Sequence, residues 1–170
     1  NVAQHESWKI YTGSYLDSGF LIDFFTPEEY FDFIAATYKL SDDNYKNALH
    51  RCDDFFNGQV LGKGKKYIRD MSAGNQQKIG IAAALLATPE VLILDEPFNS
   101  LDPTSQILLK KLLVQQNQNH GTTMILSSHD LNHVSEICTR IAIIENGVIF
   151  RDMQTNYDTL ADLERYFQPK

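Results

Sequence analysis

The sequence is short of the residues that staple a fold, cross a bilayer or grip nucleic acid. Only two of its 170 residues are cysteine, Cys52 and Cys138. They lie far apart without metal-type spacing, which excludes a disulfide framework or zinc motif and leaves two inert core thiols suited to a reducing cytosol. The longest mostly apolar run, Ile79 to Ala87, falls well short of the ~20 residues that cross a bilayer. Any membrane role therefore runs through a partner. Basic charge is scarce too: 15 Lys and Arg against 22 Asp and Glu leave a net charge of −7, which argues against non-specific nucleic-acid binding. No repeat, low-complexity segment or signal-peptide pattern stands in these residues, and the chain opens on Asn1 rather than Met, as a piece of a longer protein does.

What is present suffices for a core. A hydrophobic content of 43% over 170 residues fits one domain. Its centre is Val91 to Pro97, Val-Leu-Ile-Leu-Asp-Glu-Pro. Four aliphatic residues predict a short parallel strand buried on both faces, and Pro97 forbids its continuation. Asp95 and Glu96 then stand at the carboxyl end of a parallel strand, where open α/β sheets bind ligands. The first suits a Mg²⁺ that bridges phosphates and the second a base for an attacking water. Taken alone, an ordinary strand with a charged end explains the stretch equally well.

The flanks add to it. A weak strand from Lys9 to Leu16, broken at Gly13, leads into an aromatic loop. Thr26 as N-cap, Pro27 at the first helical position and Glu29 closing a capping box predict a helix that fades at Lys39. A second helix is expected from Ser41 or Asp42 to Phe56, stopped by Asn57-Gly58. Gly62-Lys63-Gly64-Lys65-Lys66 is not a phosphate loop, because Gly58 and Gly62 are one residue too close and Gly64 stands where a hydroxyl must ligate Mg²⁺. It reads as a solvated basic loop. Ser72 predicts the N-cap of a helix to Ala87, and Gly74 in its first turn costs about 1 kcal/mol against Ala, a sign that something approaches the backbone there. A serine-capped helix start without bulk is a ready anion site; an incidental glycine is the plainer reading of this segment alone. Asp102 and Pro103 open another helix, ended by Gly121. Thr122 to Ser127 reads as the next buried strand, terminating in Ser128-His129-Asp130. Asn146-Gly147 marks a hairpin between 140–145 and 148–150, and one short helix is expected in 157–167.

Taken together, these residues resemble the ATP-binding domain of ABC transporters, most closely the exporter-like members. Ser72-Ala73-Gly74-Asn75-Gln76 is similar to the signature motif, usually Leu-Ser-Gly-Gly-Gln. Val91 to Glu96 resembles Walker B with its catalytic glutamate, Ser100-Leu101-Asp102 the D-loop, and His129 the switch histidine. The order and spacing of all four agree, and the resemblance covers nearly the whole chain. It implies an α/β, P-loop NTPase-like (RecA-like) fold: a mainly parallel sheet with an inserted helical subdomain at about 24–88. Residues 1–170 would be the C-terminal part of one such domain, lacking its N-terminal strands and phosphate loop. It also implies ATP and Mg²⁺ as cofactors, a second ABC ATPase domain and a membrane-spanning permease as partners, no nucleic acid, and a place at the cytoplasmic face of a membrane. Catalytic roles fall on Glu96 and His129, the metal on Asp95, and cross-interface nucleotide contact on Ser72, Ala73, Gly74 and Asn75, with Asp102 coupling two sites.

The departures are specific. No Gly-x-x-x-x-Gly-Lys-Ser/Thr occurs in these residues, so the chain alone is expected to bind ATP poorly and to be inactive. The family's Q-loop glutamine should fall near Asp17 or Ser18, yet no glutamine lies between Tyr15 and Phe25. Ala73 and Asn75 replace a glycine and a glutamine of the usual signature. A non-transport ATPase of the same superfamily and a pseudo-ATPase that dimerises without turnover are the rival readings.

Overall fold

The structure is a computed structural model, and it describes residues 5–168. The chain divides into two compact units, Asn1–Ser127 and Ser128–Lys170.

The first unit begins with one helical turn, α1 (Trp8–Tyr11), and a strand, β1 (Thr12–Tyr15). The strand expected from Lys9 thus starts three residues late, and it runs through Gly13 instead of breaking there. A Cβ at Gly13 would lie 2.1 Å from the Ala84 carbonyl oxygen, so the glycine admits a neighbouring backbone to an intact strand. Next comes α2 (Pro27–Tyr38), whose capping box is complete: Thr26 Oγ1 accepts from Glu29 N, and Glu29 Oε2 accepts from Thr26 N. Such caps contribute about 1 kcal/mol. The helix expected over 41–56 is two, α3 (Asp42–Arg51) and α4 (Asp53–Phe56), with Cys52 at φ −92° and ψ −4° between them. That bend turns Phe55 and Phe56 fully inward, where Phe56 meets Phe31.

The helix α5 (Ala73–Leu85) follows its Ser72 cap and has nine residues buried, Gln77 and Lys78 with seven apolar residues from Ile79 to Leu85. It packs on β1 and on β2 (Val91–Leu94). Then α6 (Pro103–His120) ends at Gly121, whose φ of 68° favours glycine, and β3 (Thr123–Leu126) completes the sheet. The three strands are parallel in the order β1-β2-β3, with Leu92 opposite Gly13 and Met124. The expected burial of β2 on both faces holds for one only: Leu92 and Leu94 are buried, Val91 and Ile93 half-buried. The expectation for β3 fails outright, since Ile125 is 59% exposed. Both strands have the aliphatic composition of a doubly covered sheet, but α5 covers just one face of β2, and composition does not report coverage.

The second unit contains α7 (Leu131–Ile137), β4 (Arg140–Glu145), β5 (Val148–Gln154) and α8 (Thr159–Phe167). Its hairpin turns at Asn146 and Gly147, with φ of 49° and 78°. Two successive left-handed residues give the type I′ turn that Asn-Gly favours. Arg140 pairs with Asp152 across the strands, Tyr166 Oη donates to Glu145 Oε1 at 2.5 Å, and α7 packs on α8. No helix among the described residues is long and apolar enough to cross a membrane.

Candidate functional site

Two groups of residues converge in the first unit. The first lies at the carboxyl end of β2. Asp95 N donates to the Tyr15 carbonyl at 3.0 Å, the last rung between β1 and β2. Beyond it the chain leaves the sheet with Glu96 at φ 45°, a left-handed conformation that costs a non-glycine residue roughly 1–3 kcal/mol. Neighbours hold it there. Glu96 N donates to Ser127 Oγ at 2.9 Å, and the Glu96 carbonyl accepts from Asn99 N at 3.1 Å and from Gln77 Nε2 at 3.2 Å. Ser127 Oγ in turn donates to Asp95 Oδ1. One hydroxyl, on the first residue past β3, therefore ties both acidic residues that follow β2 to the neighbouring strand. Asp95 is exposed and Glu96 half-buried.

The second group surrounds the start of α5. Ser72 Oγ accepts from Asn75 N at 3.3 Å, and Ser72 and Ala73 are exposed. Gly74 faces the loop after Pro97, where a Cβ would meet the Ser100 carbonyl oxygen at 2.7 Å. The approach expected from sequence is thus made by this chain's own backbone. Ser100 is itself left-handed, at φ 60°. Asp102 caps α6, with Oδ1 accepting from Ser105 N at 3.0 Å and Oδ2 from Ser105 Oγ at 2.6 Å. The Ser105 hydroxyl holds the Asp102 carboxyl below its ordinary range. A cleft of about 850 Å³ is lined by Ser72, Gly74, Ser100 and Asp102, with Lys63 and Lys66 at its edge. Deeper in it, Lys78 is 1% exposed; its Nζ donates to Gln59 Oε1 at 2.9 Å and sits 5.8 Å from the Phe55 ring centre. Burial pushes the Lys78 pKa down, and Asp102 opposes the shift.

The fold thus joins Asp95 with Glu96, and Ser72 through Asn75 with Asp102. His129 is three residues past the end of β3, exposed, and in the second unit; there Asp130 caps α7 by accepting from Asn132 N at 2.8 Å. Asp17, near the expected Q-loop position, caps a short 3₁₀ turn by accepting from Gly19 N at 2.6 Å. The basic loop 62–66 is exposed and without regular structure, and Gly62 N donates to Glu28 Oε1 at 2.8 Å. Sequence reasoning missed Ser127, Gln77 and Tyr15. The Ser127 hydroxyl, just past β3, becomes a signal only once β3 is known to pair with β2. A helix glutamine facing a strand carried none.

As phosphoryl chemistry needs, the site offers carboxylates at a strand end and a helix N-terminus open to solvent, the latter a pair of N–H donors and a hydroxyl for an anion. Comparisons with known proteins give the same kinship. The sequence model of the family described as “AAA domain, putative AbiEii toxin, Type IV TA system” matches residues 22–135, more than half of the chain. A methionine import ATP-binding protein MetN from Carboxydothermus hydrogenoformans is 38% identical over 93 residues, covering 55% of this chain and 28% of that protein. A solved ATP-binding subunit of an ABC transporter superimposes with a TM-score of 0.81 at 26% identity, covering 98% of this chain and 67% of the other. The cbiO1 protein of Clostridium perfringens, part of the ABC transporter complex cbiONQ, gives a TM-score of 0.72 at 26% identity, covering 92% and 62%. Against the curated relatives it matches, the chain spans only 27% to 37% of their length. The chain belongs to the AAA-domain family whose model it matches, and its sequence and fold are those of the ATP-binding domains of ABC transporters.

Proposed function

We propose that the intact protein hydrolyses ATP at a composite site between two ABC-type domains and couples hydrolysis to transport. Residues 1–170 supply the C-terminal part of one domain, with 24–88 as its helical signature subdomain. The observation that carries the reading is the shared cleft, in which the exposed start of α5 meets the Ser100–Asp102 loop. That arrangement presents Ser72 and the free N–H groups beside Gly74 to a phosphate carried by a second domain.

Asp95 and the Ser127 hydroxyl bonded to it are hard oxygen donors, the kind Mg²⁺ accepts, and Asp95 would hold the ion. When bound, the ion offsets phosphate charge. Glu96 orients and deprotonates the attacking water, and its pinned backbone fixes where that carboxylate points. His129 contacts the γ-phosphate, Ser72 and Gly74 reach the partner's nucleotide with Ala73 and Asn75 beside them, and Asp102 couples the two sites. Positioned donors of this kind contribute about 3–4 kcal/mol each to a transition state. A permease subunit would bring the pair to the cytoplasmic face of a membrane, since the chain's described helices cannot cross one.

Glu96→Gln tests the reading in the full-length protein. It keeps shape but cannot accept a proton, so phosphate release should fall by about 10²–10⁴. Nucleotide binding should persist, and gel filtration in Mg-ATP should show the mutant accumulating as a dimer. Unchanged turnover would place water activation elsewhere. Hydrolysis that proceeds without any permease, and is not stimulated by one, would favour the non-transport ATPase.

A further inference from the structure

One buried side chain joins the two halves of the site. Gln77, on the second turn of α5, is 9% exposed. Its Oε1 accepts from Tyr15 Oη at 3.0 Å, and its Nε2 donates to the Glu96 carbonyl at 3.2 Å. The Glu96 carbonyl can only accept, so Nε2 is the end of the amide that faces it, and Oε1 is left to take the Tyr15 proton. Burial pushes the Tyr15 pKa up to about 12, which keeps that proton in place through the neutral range. The ring is itself held: a Cβ on Gly80, one turn along α5, would lie 2.0 Å from Tyr15 Cε2, so helix and ring are in direct contact.

The peptide groups on both sides of the Glu96 Cα are therefore tied down. Its N–H is held by Ser127 and its carbonyl by Gln77 and Asn99. In a left-handed residue at φ 45°, the orientation of these two peptides sets the direction of the Cα–Cβ bond. We propose that Gln77 is a positioning residue for Glu96: by donating to the Glu96 carbonyl from a Tyr15-bonded amide, it holds a strained backbone in the geometry that aims the carboxylate. The proposal rests on the reading of Glu96 as the general base. It adds that the helix presenting Ser72 and Gly74 also braces the base within its own domain.

Two variants of the full-length protein test this. Gln77→Glu keeps size and an acceptor for Tyr15 but turns an oxygen toward the Glu96 carbonyl; Gln77→Leu removes both bonds. Displacing a reacting group by a fraction of an ångström to 1 Å costs up to about a hundredfold. Steady-state phosphate release should therefore show kcat lowered by about ten- to a hundredfold, with KM for Mg-ATP held within about twofold. In a Glu96→Gln background neither variant should lower the residual rate further. An equal loss in both backgrounds, or an unchanged kcat, would overturn the proposal. Hydrogen exchange in the same proteins reads the geometry without activity. The Asn99 amide, bonded to the Glu96 carbonyl, should exchange several-fold faster in Gln77→Glu, while the Asp95 amide, bonded to Tyr15, should not. A wild type without hydrolysis would refute the reading of Glu96, and unchanged Asn99 exchange would refute the role of Gln77.

Discussion

At Gly74 two effects of known size oppose each other. Alanine there would gain about 1 kcal/mol of helix propensity. Its Cβ would also sit 2.7 Å from the Ser100 carbonyl oxygen, a backbone atom that cannot swing aside. Overpacking of this kind costs about 1–3 kcal/mol, and Ser100 is already left-handed at φ 60°, so the clash prevails. Gly74→Ala should therefore lower the denaturation midpoint of the protein and disturb the cleft shared with Asp102. A variant as stable as wild type would show that the loop yields freely. The same contact explains why glycine survives at 74 while alanine stands at 73: residue 73 is exposed, with room for a methyl group.

Among the elements, helix ends were the most legible features of the sequence. Thr26 with Glu29, Ser72, and Asp102 with Pro103 all cap where local spacing predicts, because a cap needs only its own next three residues. The Asn146-Gly147 turn is local in the same way. What spacing could not reveal depends on strands meeting in register. Gln77 reaches Glu96 across 19 residues and Ser127 reaches Asp95 across 32, and no periodicity within one element encodes either. The break at Cys52 and the open face of β3 escaped for a related reason, since both depend on what packs opposite. Asp102 gives this scale its test. Ser105 favours the charged carboxylate in the folded protein, so the pKa is depressed. Stability from that charge is complete above the ordinary carboxylate range and is lost as pH falls through the folded value. Asp102→Ala should lower the melting temperature most near neutral pH, and the gap to wild type should narrow as melts are taken to pH values below the ordinary carboxylate range. A gap independent of pH would mean that the charge contributes nothing to the cap.

For the whole molecule, the composite reading makes a demand that a self-contained site does not. Glu96 and Ser72 are in one chain, but in the proposed pair they serve different sites: each Glu96 works with the Ser72 of its partner. Two variants separate the roles without damaging the fold. Glu96→Gln removes the base. Ser72→Asp keeps an N-cap of equal quality while placing a negative charge where a phosphate would dock. Each alone, in a symmetric dimer, should be nearly inactive. Mixed, they assemble dimers in which one site carries both defects and the other carries neither. With random pairing about half of the dimers are mixed, and each has one intact site of two, so activity should recover to roughly a quarter of wild type. A site built within one chain predicts no recovery at any mixing ratio, because every chain then carries a broken site. Phosphate release from 1:1 mixtures, after exchange of subunits in the absence of nucleotide, decides between them. Recovery would also show that the exposed start of α5 faces a nucleotide on another molecule, the reason its hydroxyl and N–H groups are open to solvent here.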